Sequence, residues 1–168
     1  GKVITHSKKV KKGLMQKLLT RGIGHTKFKK VPWLFGKEIE IPEEWEIQYL
    51  EQVTNKILDG EHISPSFLDF GIPYLSSQHI KSKILFDNCK YVNNKTYVKI
   101  IKRIHSEYDD ILITVKGTIG FIKRIDIDKK FCMDRNVGLI KPIKEKLESI
   151  FLENFMRSIL VQKQILGL

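Results

Sequence analysis

Asp110-Ile-Leu-Ile-Thr-Val-Lys-Gly-Thr-Ile-Gly-Phe-Ile122 is the stretch that decides the fold. Ile111 to Val115 is the densest β-branched run in the chain, and β-branched side chains favour a pleated, buried surface over a helix. It reads as a strand. Lys116-Gly117-Thr118 turns it, and Ile119-Gly120-Phe121-Ile122 continues as a second strand. Gly117 and Gly120 serve the backbone geometry of that turn.

Further strands and helices follow on both sides. Val137-Gly138-Leu139-Ile140 is a third strand, ended by Pro142. From about residue 146, Leu147, Phe151, Phe155 and Ile159, with Leu152, Met156 and Leu160 beside them, make an amphipathic helix expected to pack on the sheet. Upstream, residues 94–104 suit a short helix with Tyr97, Ile100, Ile101 and Ile104 on one side. Gly71-Ile-Pro-Tyr-Leu75 is a short buried strand with its proline at the edge. Asp59-Gly60 is a turn signal that opens a loop over 59–70. Residues 44–50 alternate imperfectly and read as a strand-like entry. The expected class is α/β in the broad sense (α+β), with a mixed, largely antiparallel sheet and a C-terminal packing helix.

The first residues differ in kind. Val3, Val10, Leu14 and Leu18 recur at spacings of seven, four and four, and lysines populate the other faces. Residues 3–21 therefore read as a helix, stopped by Gly22 and Gly24. Its narrow apolar seam is that of a helix packing on another long helix, a coiled-coil spacer segment. Residues 22–42 hold Gly22, Gly24, Pro32, Gly36 and Pro42 and read as a connector. The expected division is 1–24 spacer helix, 25–42 connector and 43–168 folded domain.

Charge sharpens the contrast. The chain has 168 residues and a net charge of +11. Residues 1–30 hold ten Lys or Arg and no Asp or Glu, leaving twenty basic and nineteen acidic residues for the rest. Either this segment is a solvated basic face or it meets a polyanion. Hydrophobic residues make up 42%, enough to build a core and to exclude a wholly disordered chain. No apolar run approaches the ~18–20 residues of a membrane span. The first residues lack the apolar stretch of a signal peptide and a methionine, so a processed, tagged or excised end is expected. Cys89 and Cys132 form no CxxC pair, so reduced thiols and a cytoplasmic setting are expected.

Several chemistries lack their residues. There is no Walker A sequence, GxGxxG, GxSxG, HExxH or amino-methyltransferase motif. The five histidines do not pair at i,i+4, so no metal site is expected. A nuclease of the Asp…Glu-x-Lys type needs a carboxylate two residues before Lys116, where Thr114 stands.

Five segments in one order carry a resemblance. Val10 to Arg21, followed by Ile41-Pro-Glu-Glu-Trp-Glu-Ile47, resembles the end of the central conserved helix of type I restriction–modification specificity subunits, leading into a target-recognition domain. Asp59-Gly-Glu-His62 with Pro65 and Phe67, Gly71 to Leu75, Asp110 to Gly120, and Asn136-Val-Gly-Leu-Ile140 resemble later segments of that prokaryotic family. Asp109 stands where the family commonly has Gly. The family's subunits usually carry two such domains, and this chain resembles one of them with the tail of one spacer helix.

The resemblance implies a non-enzymatic protein that reads a few base pairs of one half of a split double-stranded DNA site. It implies methyltransferase (modification) subunits and an ATP-dependent restriction subunit as partners, and no membrane. The S-adenosylmethionine and ATP that those subunits use are not expected to bind here, so no cofactor is implied. Ser76, Ser77, Gln78 and His79 are the expected base contacts, since Gln pairs bidentately with adenine and Ser and His use several edges. Lys81, Lys83, Lys116 and Thr118 are expected at phosphates, with Lys123, Arg124 and Arg135 behind them. His62 either touches DNA or caps its loop. Val3, Val10, Leu14 and Leu18 are the expected partner-packing face. The competing reading, a basic RNA-binding or ribonucleoprotein assembly domain, explains the charge but not the ordered segments.

Overall fold

The computed structural model describes residues 2–167, which fall into two compact units. One is Tyr49–Glu153; the other combines the residues up to Gln48 with those from Asn154 onward.

In the second of these, helix α1 spans Lys2–Arg21. It ends where Gly22 takes a φ of 61°, with the Gly22 N–H donating to Leu18 O at 3.0 Å. A Cβ at Gly22 would lie 2.4 Å from the His25 ring, so the stop requires glycine twice over. The expected connector holds a hairpin. Strand β1 (Phe28–Pro32) pairs antiparallel with β2 (Glu38–Pro42), each ending in a proline where a ladder donor is dispensable. Arg21 ties helix to hairpin by pairing with Glu40 and lying 4.6 Å over the Phe28 ring. No strand forms over 44–50. Residues 43–44 make a turn, Trp45 N–H donates to Pro42 O at 3.0 Å, and residues 45–49 enter no strand.

The unit Tyr49–Glu153 holds two sheets. A four-stranded antiparallel sheet runs in the order β3 (Thr54–Asp59), β9 (Val137–Pro142), β6 (Ile111–Thr114), β7 (Ile122–Arg124). A three-stranded sheet sets β4 (Ile72–Leu75) between β5 (Lys90–Val92), antiparallel, and β8 (Cys132–Met133), parallel. Leu75, Leu112, Val137 and Leu139 are fully buried and share one core with Ile80, Ile104, Ile125, Phe131 and Met133. Each such side chain contributes about 1.5–3 kcal/mol of transfer free energy. Helix α2 (Asn94–Ile101) is capped by Asn93, whose side chain accepts from Thr96 N–H, and buries Tyr97 and Ile100 in a second cluster with Tyr74, Val92 and Cys132.

Several expected boundaries move: the helix expected over 94–104 ends at Ile101, and the strand expected over 111–115 ends at Thr114. The second strand of the deciding stretch starts at Ile122, because residues 115–121 are all consumed by the turn. The expected C-terminal helix is two helices, α3 (Ser149–Met156) and α4 (Ile159–Leu166). Ser158 breaks them with an extended ψ of 156°, taking the N-cap position that serine favours. The mixed α+β class with largely antiparallel sheets is as expected. No second long helix lies against α1 among the described residues.

Candidate nucleic-acid interface

The ends of both sheets bring four loops together. Antiparallel pairing sets the end of β3 beside the start of β9, and the start of β9 beside the end of β6. The loops 59–62, 115–121 and 134–136 therefore share one end of the larger sheet. Backbone bonds fasten them: Gly60 N–H to Val137 O at 2.9 Å, Glu61 N–H to Met133 O at 2.8 Å, Arg135 N–H to Glu61 O at 3.0 Å and Val115 N–H to Asn136 O at 2.9 Å. Gly60 is buried so closely that a Cβ there would lie 1.9 Å from Asp134 O. The smaller sheet adds the fourth loop, since Asp134 N–H donates to Leu75 O at 2.9 Å and residues 76–79 follow at once. Ser77 Oγ lies 3.1 Å from where a Cβ on Gly117 would sit. Two segments forty residues apart in sequence are thus in contact.

The turn at 115–121 is held from inside. Thr114, fully buried, donates its hydroxyl to Thr118 O and accepts from Phe121 N–H at 2.9 Å. Gly120 N–H donates to Thr114 O at 2.9 Å, and Gly117 and Gly120 take φ values of 77° and 90°. Lys116, Thr118 and Ile119 are left exposed at the tip.

Of the expected contacts, Gln78, Lys116, Thr118 and Arg135 are exposed in this loop cluster, and Ser76 and Ser77 are half-buried. Lys81 and Lys83 are exposed on the tight turn that follows, where Lys81 N–H donates to Lys83 O. His79 is turned inward instead of facing a base. It is 4% exposed, its Nδ1 accepts from Ser76 N–H at 2.9 Å, and its Nε2 is buried without a hydrogen-bond partner. His62 is exposed and pairs with Asp59, which holds the Asp59 carboxyl below its ordinary value.

Lys123 and Arg124, expected at phosphates, are engaged within the fold. Lys123 is 7% exposed, with Nζ 2.6 Å from Asp126 and 3.6 Å from Glu153. Arg124 lies 2.6 Å from Asp109. On α1, Val10, Leu14 and Leu18 are each about half exposed and form one apolar stripe; the side chain of Val3 lies outside the described residues.

Some contributors were not foreseen. Arg103, just past α2, donates to Gly60 O and lies 3.5 Å from Asp59, so it steadies the 59–62 loop. Asp134 accepts from the Asn136 backbone and side-chain N–H groups at 2.8 and 2.9 Å, and burial raises its carboxyl. Asp134-Arg-Asn136 carries the turn composition that could have revealed this loop. Among the described residues no three His, Cys, Asp or Glu gather to hold a metal ion, and no helix is long and apolar enough to cross a membrane.

No family model matches the chain. Two proteins of Methanocaldococcus jannaschii do, along almost all of it. One, named for the MjaX type I restriction enzyme as its specificity subunit, is 32% identical over 95% of this chain and 35% of its own length. The other, the type I restriction enzyme MjaVIII specificity subunit, is 29% identical over 94% of this chain and 37% of its own length. The chain is similar to part of a type I specificity subunit. The HsdS subunit from Thermoanaerobacter tengcongensis shares the fold, with a TM-score of 0.62 at 16% identity over 98% of this chain and 37% of that one. The chain spans a little over a third of the specificity subunits it matches.

Proposed function

We propose that this chain is a target-recognition segment of a type I restriction–modification specificity subunit. It reads one half of a bipartite site in double-stranded DNA and directs methyltransferase and restriction subunits there, inside the cell that the system guards. It performs no chemistry itself and holds no cofactor. The observation that carries the reading is the contact between Ser77 and Gly117, which joins the 76–79 loop to the 115–121 turn. Polar tips on backbone-fastened loops suit groove reading, where a rigid frame aims a few side chains at base edges.

In this reading Gln78 pairs with adenine, Ser77 and Thr118 flank it, and Lys116, Arg135, Lys81 and Lys83 meet phosphates. His79 positions its loop. The stripe at Val10, Leu14 and Leu18 packs on a partner helix, so that α1 acts as a spacer.

The test is selection from randomised duplex DNA, with the chain alone and then with a methyltransferase subunit, at near-physiological salt. A short enriched motif, sharpened by the partner, is expected. Gln78→Ala should relax one position of that motif at a cost of about 1–3 kcal/mol, whereas Lys116→Gln should weaken all sequences alike and lower the salt slope by about one. Salt-sensitive binding without enrichment, together with preference for RNA in competition, would overturn the reading.

A further inference from the structure

His62 stands half exposed on the 59–62 loop, at the end of the larger sheet where the loops gather. Its Nε2 pairs with one carboxylate oxygen of Asp59, and the other oxygen lies 3.5 Å from Arg103. The hydrogen bond from His62 holds the Asp59 carboxyl below its ordinary value, so at neutral pH Asp59 is an acceptor only. The ring proton therefore sits on Nε2, and a neutral His62 carries a lone pair at Nδ1. The fixed charges about this loop are Asp59 and Glu61 on it, Arg103 just past α2, and Asp134 and Arg135 on the loop bonded to it through Glu61 O and Arg135 N–H. The Glu61 carboxylate accepts from Ile63 N–H at 3.0 Å, and Asp134 accepts from Asn136. Three carboxylates face two guanidinium groups. That excess of one negative charge repels a phosphate, and one proton on His62 cancels it.

We infer that His62 is a proton-linked phosphate contact: Nε2–H stays on Asp59 while Nδ1 takes up one proton from solvent and donates it in a hydrogen bond to a backbone phosphate of duplex DNA. A neutral ring meets a phosphate oxygen with a lone pair. A protonated ring meets it with a charge-assisted bond, braced from behind by Asp59. Binding and protonation then favour one another equally. The contact rests on the reading of this chain as a duplex binder, and it is indifferent to base sequence.

The test is the affinity of the whole chain for a short random-sequence duplex, read by fluorescence anisotropy from pH ~8 to ~6 at constant salt. Wild type should bind more tightly as pH falls, by up to about tenfold per pH unit where the free ring is neutral and the bound ring charged. His62→Gln and His62→Lys should both lose that part of the slope. His62→Lys, charged throughout, should also bind more tightly than wild type at pH ~8, a gain that no misfolded chain gives. His79, the other histidine of the cluster, is buried and common to all three proteins. A full wild-type slope retained in either variant would overturn the inference. NMR of the His62 ring is the second arm: duplex should raise the pH at which the ring takes up its proton, and inorganic phosphate at equal ionic strength should not. An equal rise with both assigns the ring to a free anion and overturns the inference as well. Base reading fails or stands separately, in the selection from randomised duplex. An enriched motif with equal slopes removes only the proton-linked contact, whereas different slopes with no motif remove the base-reading loops and keep it.

Discussion

Asp109 takes a φ of 74°, a left-handed conformation that costs most side-chain-bearing residues about 1 kcal/mol. Its carboxylate offsets that cost by pairing with Arg124 at 2.6 Å. Asp109→Ala should therefore destabilise the chain more than Asp109→Gly does, by about 1 kcal/mol in chemical denaturation, because alanine loses the ion pair and keeps the strain. Gly60 allows no such exchange. With Asp134 O 1.9 Å from the added carbon, Gly60→Ala must part the 59–62 and 134–136 loops, at a cost of about 1–3 kcal/mol seen as a lower melting temperature. At Cys132 burial pushes the thiol up to about 12, so it should resist a thiol reagent at neutral pH and react once the chain is denatured. The glycines were legible in the sequence as turn residues. The inward rotation of His79 was not, because a polar loop residue and a loop-capping residue have the same local sequence pattern.

The element that couples fold to site is the turn between β6 and β7. Thr114→Val keeps the shape of the side chain and deletes both hydroxyl bonds. The expected loss is about 1–3 kcal/mol in denaturation, with a blurred base preference in selection. At β7 the Lys123 pair lowers the Asp126 carboxyl below its ordinary value. Such a group contributes stability that is fully present above its unfolded value of ~3.9 and is lost as pH falls through the lower folded value. Wild type should lose more stability between pH ~5 and ~2 than Asp126→Asn does, measured by denaturant midpoints. Strands with buried β-branched runs were readable in advance. The hairpin β1–β2 was not: its faces carry Lys29, Lys30, Glu38 and Glu40, and its prolines and glycine read as a linker. The broken C-terminal helix was missed because the apolar period runs through Ser158 without a change of phase.

At the scale of the whole molecule, charge and apolar surface are used differently in different places. Lys123, Arg124 and Lys141 are matched by Asp126, Asp109, Asp110, Glu107 and Glu153 within the fold, whereas the basic first thirty residues contain no acid. Composition alone told that asymmetry. It could not tell which cations of the folded unit are internally paired, since ion pairs such as Arg124–Asp109 join residues that only the sheet brings together. The loops of the candidate interface are fastened at their bases by backbone N–H and carbonyl groups, from Gly60 to Val137, Glu61 to Met133, Asp134 to Leu75 and Val115 to Asn136. Backbone N–H and carbonyl groups are the same in every residue type but proline, which lacks the N–H. Mutation can therefore replace the side chains at 78, 116, 118 and 135 one at a time while the scaffold beneath them is inherited unchanged. On the proposed reading, a lineage carrying this fold can change the word it recognises without having to fold anew.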